Sequence, residues 1–194
     1  MRKKDASYVV YGTHKGGFFM QKFKNVKTLT TVSMLLAVAV VLGFFKIPIT
    51  ELIELRFQFL PITVGSMLYG PIVGGVLGGL TDILAYLVKP TGVFFPGFTF
   101  SSILAGVIYG FFFHKKKISL PRVIAGVFVE TVICSILLNS LFLSILYGTP
   151  FWTVIVSRLL KTVIMFPINV ALLYAILRPA GVLLPKISGI DMAG

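Results

Sequence analysis

Long runs of apolar residues, separated by short polar or turn-forming stretches, dominate the sequence. A helix that crosses the roughly 30 Å apolar core of a bilayer needs about 20 mainly apolar residues, and fewer where it ends in protein-lined water. Six runs fit this rule, and we predict transmembrane helices over Thr28–Phe45, Phe57–Tyr69, Ile72–Val88, Phe98–Phe113, Pro121–Tyr147 and Trp152–Leu177. The predicted fold class is an all-α membrane protein with six transmembrane helices.

The connections between these runs differ in character. The stretches "YGP" at 69–71 and "GTP" at 148–150 predict tight turns, and residues 46–56 mix polar and apolar side chains as a structured loop would. The segment "KPTGVFFPGFTF" from Lys89 to Phe100 combines prolines, glycines and four phenylalanines. Its prolines restrict the backbone and its glycines permit turns, so it can hold its aromatic rings in defined positions. Alternatively, its phenylalanines anchor the loop in the membrane interface.

The distribution of Lys and Arg predicts the orientation of the chain. Six spans put both termini on one side, and that side receives 13 of the 18 basic residues, whereas the other side receives Lys46, Arg56 and Lys89. Because cytoplasmic loops carry the excess of positive charge, both termini are predicted to be cytoplasmic. The predicted organisation is a cytoplasmic segment over residues 1–27, a membrane domain over 28–178 and a cytoplasmic tail over 179–194, with residues 1–19 a candidate extension or tag.

Composition supports this class and argues against others. Hydrophobic residues make up 57% of the 194 residues and charged residues 12%, against roughly 25% charged residues in soluble domains. The net charge of +12 does not indicate nucleic-acid binding, because most basic residues flank apolar runs, where topology and anionic lipid account for them. The single cysteine, Cys134, cannot form an intrachain disulfide.

The sequence lacks the motifs of membrane catalysis. It contains no HExxH, GxSxG or Walker A sequence and no cluster of His, Cys and carboxylates at metal-ligand spacing. Two acids within spans, Asp82 and Glu130, are too few and too far apart in sequence to suggest acid–base chemistry. We therefore expect a binding protein that is not an enzyme, with no metal and no cofactor of its own; a small membrane enzyme is a distant alternative.

Several polar residues gather near the predicted outer ends of the spans. Asp82 lies six residues before the end of the third run, where a carboxylate is costly unless it pairs, faces water or binds a ligand. A structural partner for it, such as Arg56, is the alternative. Arg158 and Lys161 share a helix face near Trp152, which indicates an anionic ligand or, alternatively, snorkelling to the interface. Asn139 is predicted at the same level, with interhelical hydrogen bonding as its alternative role.

Small residues recur at four-residue spacing on two predicted helices. The stretch "GPIVGGVLGGL" places Gly70, Gly74 and Gly78 on one face, an arrangement typical of close helix packing in lipid. The first helix carries two further pairs, Ser33 with Ala37 and Ala39 with Gly43. Each pair can pack internally or receive a partner subunit.

These features resemble a known family. The stretches "GGLTD", "PTGVFFPGFT", "NSLFL", "YGTPF" and "RLLK" are similar to those of the substrate-binding S components of energy-coupling factor (ECF) vitamin transporters, and specifically of the folate type. The similarity covers about Thr28–Arg178, nearly all of the membrane domain. An S component for riboflavin or thiamine is the alternative within the family.

The resemblance implies a six-helix bundle in the bacterial plasma membrane with an external vitamin pocket. It also implies partners, namely a transmembrane coupling protein and two cytoplasmic ATPases that use the ATP. The S component of this family is thought to topple within the bilayer and carry the vitamin inward. The Ser33/Ala37 pair looks like the family's AxxxA coupling face, with serine in place of the first alanine.

If the ligand is folate, its chemistry suggests roles for the candidate residues. The pterin offers adjacent N–H donors that the Asp82 carboxylate can accept as a pair. Its flat ring needs aromatic faces, and the candidates at the same membrane side are Phe94, Phe95, Phe98 and Trp152. The anionic glutamate needs cations or donors, and the candidates for this end are Arg56, Asn139, Arg158 and Lys161.

Overall fold

The computed structural model describes residues 26–50, 53–88 and 95–188 of the 194-residue chain. Within these ranges the structure does not describe some of the side chains, namely those of Lys27, Ser157, Leu160 and residues 46–50, 53–56 and 182–188. The described part contains six helices, α1 to α6, which are Val26–Phe44, Phe59–Tyr69, Pro71–Val88, Pro96–Phe113, Leu120–Tyr147 and Phe151–Ser188. Their bounds lie within two residues of the predicted runs, except at the end of α6, and confirm the all-α fold class.

Helix α2 forms the centre of the bundle. It has only 11 residues, and every residue from Leu60 to Tyr69 is buried. Its sequence "FLPITVGSMLY" is apolar on all sides, which is typical of a helix enclosed by other helices. α1, α3, α4 and α6 all contact it. The core therefore surrounds α2, with Met67, Leu68, Leu77, Phe113, Leu173 and Leu177 among its fully buried side chains.

Helices α3 and α4 approach each other closely along the predicted glycine face. A Cβ at Gly74 would lie 2.5 Å from the Gly106 carbonyl oxygen and would also overlap the Ser66 hydroxyl, and a Cβ at Gly78 would overlap the Ser102 carbonyl oxygen. The Ser66 hydroxyl donates to the Gly106 carbonyl over 3.0 Å, which ties α2 to α4 at the same level. The prediction of close helix packing is confirmed for Gly74 and Gly78. It is wrong for Gly70, which ends α2 with a φ of +96° and lies before the start of α3.

The predicted loop between α1 and α2 contains a short hairpin. Strands β1 (Lys46–Thr50) and β2 (Ile53–Arg56) pair antiparallel, with Lys46 opposite Arg56 and Ile47 opposite Leu55. The sequence indicated a structured loop but not its strands. The alternation of apolar and charged residues in "IELR", the sequence of β2, fits a strand. β1 and β2 are the strands found within the described ranges.

Helix α5 contains an irregular central part. Residues Thr131–Leu138 form a π-helix, and the helix continues through it to Tyr147. Such widened turns leave backbone carbonyls available to side chains of neighbouring helices. The guanidinium of Arg158 on α6 donates to the Ser135 carbonyl within this part, with a distance of 3.0 Å from Nη1 to the oxygen. Arg158 thus joins the two helices.

Among the described residues, four helices are long and apolar enough to cross a membrane, over Pro71–Val88, Pro96–Phe113, Leu120–Tyr147 and Lys161–Gly181. α1 and α2 contribute shorter apolar helices, Thr28–Phe44 and Phe59–Tyr69. The six-span count and the cytoplasmic termini stay predictions.

α6 continues to Ser188, beyond the predicted start of the tail at residue 179. The predicted N-terminal segment lies almost wholly outside the described residues.

Replacing Gly78 by Ala tests the packing of α3 on α4. The added methyl would meet the backbone carbonyl of Ser102, which cannot rotate away. Overpacking of this kind costs about 1–3 kcal/mol, so we expect the melting temperature in detergent to fall by about 2–12 °C.

Gly181→Ala is the matched control, because its Cβ would lie 3.6 Å from the Ile118 side chain, an ordinary contact. Its melting temperature should stay the same or rise slightly, because alanine favours a helix over glycine by up to about 1 kcal/mol. Equal effects of the two substitutions would contradict the packing argument.

Candidate functional site

Asp82 receives its hydrogen bonds from α4. The Thr99 hydroxyl donates to Oδ2 of Asp82 over 2.7 Å, and the Ser102 hydroxyl lies 3.5 Å from Oδ1, at the outer limit of a hydrogen bond. Asp82 is half-buried on α3, about two turns before the helix ends at Val88. The side chain of Arg56, its predicted alternative partner, is outside the described residues. The carboxylate is therefore satisfied in part by neutral hydroxyls and retains acceptor capacity.

Three phenylalanines form a cluster at the same end of the bundle. The ring centroids of Phe95 and Phe98 lie 5.8 Å apart, and the Phe142 ring on α5 lies 5.5 Å from the first and 6.2 Å from the second. All three pairs are tilted or edge-to-face, as aromatic rings prefer. Phe95 and Phe98 were predicted as site residues, and the structure brings them together. Phe94, which was predicted with them, lies outside the described residues.

The first turns of α4 bring the phenylalanines and the carboxylate together. Phe95 precedes the helix, and Phe98, Thr99 and Ser102 follow at spacings that share one helix face. Phe98 is adjacent in sequence to Thr99, whose hydroxyl bonds Asp82. A flat ring lying against the phenylalanines can therefore present N–H donors to the carboxylate.

An open, shallow cavity of about 300 Å³ lies at the surface between the end of α5 and the start of α6. Its lining is mostly apolar and consists of Leu143, Tyr147, Thr149, Thr153, Val154 and Arg158. Leu143 directly follows Phe142 on α5, so the cavity and the phenylalanine cluster lie on neighbouring faces of that helix. Arg158, a predicted site residue, is the cation of this lining.

Two other predicted polar residues lie nearby on the same helices. Asn139 is half-buried on α5, one turn before Phe142, and its Oδ1 atom is buried without a hydrogen-bond partner. Lys161 is half-buried on α6, one turn after Arg158. Glu130 accepts from the Tyr109 hydroxyl over 3.3 Å and lies about two and a half turns before Asn139 on α5.

Trp152 lies apart from the phenylalanine cluster. Its side chain is 75% exposed, and its ring contacts the neighbouring Phe151 with centroids 6.3 Å apart. An exposed tryptophan at the start of a membrane helix is typical of an interfacial anchor. The structure therefore does not bring Trp152 together with Phe95 and Phe98.

The two small-residue pairs of α1 face in different directions. Ala39 is fully buried, and a Cβ at Gly43 would lie 3.1 Å from the side chain of Gln58. Ser33 and Ala37 are exposed, on a strip that includes Met34 and Val38. The inner pair therefore packs against the bundle, whereas the outer pair is available to another molecule.

Sequence reasoning missed Thr99, Ser102 and Phe142. The signal for the hydroxyls was the spacing of Phe95, Phe98, Thr99 and Ser102 on one face of a helix. Phe142 carried no such signal, because its contact with Phe95 depends on how α5 is rotated against α4.

The comparisons with known proteins agree with this architecture. The family model described as "ECF transporter, substrate-specific component" matches residues 27–177. The folate transporter FolT of Clostridium novyi (strain NT) is 35% identical over 151 residues, which cover 78% of this chain and 88% of that protein.

Two further similarities support the match. The folate transporter FolT of Leuconostoc mesenteroides subsp. mesenteroides is 30% identical over 159 residues, which cover 79% of this chain and 85% of that protein. A solved structure described as FolT bound with folic acid superposes with a TM-score of 0.71 at 37% identity, covering 77% of this chain and 92% of the other. The chain is thus a multi-pass membrane protein that belongs to the ECF transporter family as a substrate-specific component.

Proposed function

We propose that this chain is the folate-binding S component of an ECF importer in a bacterial plasma membrane. The observation that carries the proposal is the Asp82 carboxylate, hydrogen-bonded by Thr99 beside the phenylalanines of α4, in a chain similar to two folate transporters. The S component captures folate outside the cell and delivers it by reorientation that partner ATPases drive. In this proposal the ATP is used by the partners, and the chain itself requires no cofactor.

Folate's pterin suits the Asp82 end of the site. The ring carries a 2-amino group next to the N3–H group, and a carboxylate accepts two such adjacent donors through its two oxygens. Asp82 has two hydroxyl neighbours and keeps further lone pairs on both oxygens. The Phe95, Phe98 and Phe142 cluster supplies apolar surface for the faces of the ring.

Folate's aminobenzoyl-glutamate arm suits the cavity between α5 and α6. The lining is apolar except for a few polar groups, and Arg158 can pair with a glutamate carboxylate. Lys161 lies one turn away on the same helix, and Asn139 offers a further polar group on α5. Phe142 and Leu143, which are consecutive, connect the pterin end of the site with this cavity.

The exposed Ser33/Ala37 strip of α1 suits the coupling protein. Small side chains let another helix approach closely in lipid, and this pair is not used for packing within the bundle. The transmembrane coupling protein therefore docks on α1, and the two ATPases join through it.

Asp82→Asn tests the pterin end. The change replaces one acceptor oxygen by an N–H₂ donor that faces a donor of the ligand. An unmatched buried polar group costs about 1–3 kcal/mol, so we expect folate affinity of the protein in detergent to fall about tenfold or more. Isothermal titration calorimetry measures the folate affinity of both proteins.

Glu130→Gln is the matched control for Asp82→Asn. Glu130 bonds Tyr109 and lies about 18 Å along α5 from Phe142, so folate affinity should change less than about twofold. If Asp82→Asn binds folate within twofold of the unchanged protein, the pterin assignment is wrong.

If the unchanged protein releases a flavin on denaturation and does not bind folate, it is a riboflavin S component.

Arg158→Gln tests the arm end. We expect folate affinity to fall about fivefold or more, because a carboxylate loses its charged partner. The affinity for 6-methylpterin, which has no glutamate, should change less than twofold. An equal loss for both ligands would show that Arg158 only supports the packing of α5 and α6 through Ser135.

Ala37→Trp tests the coupling face. A bulky side chain on the exposed strip should prevent capture of the coupling protein and both ATPases in a pull-down from co-expressing cells, while folate binding remains. Val163→Trp is the control, because Val163 is also strongly exposed but lies on α6. If the Ala37→Trp variant still captures the coupling protein and both ATPases, the coupling face does not lie on α1.

A further inference from the structure

The hydrogen bonds that reach Asp82 are unequal. The 2.7 Å distance from the Thr99 hydroxyl to Oδ2 is typical of a strong bond to a charged acceptor, whereas the Ser102 hydroxyl is 3.5 Å from Oδ1. Both donors lie on α4 and both acceptors on α3. The orientation of the carboxylate is therefore set mainly by Thr99, a residue on another helix.

Thr99 is itself held firmly in position. The glycine contacts of α3 with α4 fix the distance between the two backbones, because Gly78 leaves no room for a Cβ beside the Ser102 carbonyl. The Thr99 hydroxyl thus meets the Asp82 carboxylate from a direction that the packing of the two helices determines.

This arrangement determines which ring edge the carboxylate can accept. A carboxylate offers about four lone-pair sites, and Thr99 occupies one on Oδ2, so both oxygens can still accept a donor. A 2-amino-4-oxopteridine presents two adjacent donors, the 2-amino group and N3–H. A 2,4-dioxopteridine has a carbonyl oxygen at C2, which would face a carboxylate oxygen and be repelled.

We propose that Thr99 is a positioning residue that fixes the Asp82 carboxylate to accept an adjacent pair of N–H donors, and that it thereby selects 2-amino-4-oxopteridines over 2,4-dioxo rings. The inference rests on the proposed function, because it assumes that a pterin occupies the site. Ser102 contributes less to this positioning, because its hydroxyl lies farther from the Asp82 carboxylate than that of Thr99 does.

A matched pair of ligands tests this inference on the full chain purified in detergent. 6-Methylpterin and 6-methyllumazine differ at C2, where the first carries an amino group and the second a carbonyl. We expect the unchanged protein to prefer 6-methylpterin about tenfold or more. Thr99→Val removes the hydroxyl but keeps the branched shape, and it should reduce this preference about fivefold or more.

Two variants serve as controls, and a third replaces Thr99→Val if that variant does not fold. Thr99→Ser retains the hydroxyl and should keep the preference within about twofold. Ser101→Ala, also on α4, should stay within about twofold as well, because the buried Ser101 hydroxyl has no hydrogen-bond partner within the described residues. If Thr99→Val fails to fold, as size exclusion and thermal melting would show, Thr99→Ala removes the same hydroxyl without the added apolar methyl beside Asp82.

A double-substitution cycle separates positioning from general stability. If Thr99 acts through Asp82, Thr99→Val should change 6-methylpterin affinity less than about twofold in a chain that already carries Asp82→Asn. An equal loss in both backgrounds, or a Thr99→Val variant that keeps the ligand preference, overturns the inference and leaves folate binding intact. If the unchanged protein binds neither folate nor 6-methylpterin, the proposed function fails, and the inference fails with it.

Discussion

The close approach of α3 and α4 is the contact on which the rest of the bundle depends. Apolar side chains gain little by leaving lipid for protein, so helices in a membrane associate mainly through close van der Waals packing and hydrogen bonds. Gly74 and Gly78 provide this packing by meeting the backbone of α4 at Gly106 and Ser102. The buried helix α2 joins the same region, where the Ser66 hydroxyl bonds the Gly106 carbonyl.

This packing also explains how a carboxylate is kept inside a membrane domain. An isolated charge there is costly, and Asp82 has two hydroxyl groups of α4 as neighbours because the glycines hold that helix close. Neutral hydroxyls stabilise the carboxylate without cancelling its charge, whereas a direct ion pair would. The carboxylate can therefore still bind a ligand, and the phenylalanines that begin α4 lie in the adjoining turn.

The described helices divide the protein into a tightly packed part and an outward face. α2, α3 and α4 are held by glycine and hydroxyl contacts, while α1 presents Ser33 and Ala37 on its exposed side and Ala39 on its buried side. In the proposed function, ligand binding and partner docking thus use different helices. Such a separation would let a rigid binding unit move as a whole relative to a partner that touches only α1.

The sequence by itself determined the helices, because helix position in a membrane protein follows from local runs of apolar residues and from turn-forming glycine and proline. It also indicated Asp82, since a lone carboxylate in an apolar run is rare, and the phenylalanines of the following loop. Only the tertiary structure decided that Thr99 bonds Asp82, that Phe142 joins Phe95 and Phe98, and that Trp152 lies outside that cluster. These contacts depend on how each helix is rotated about its axis, and that rotation is set by packing between helices distant in sequence, which local patterns do not encode.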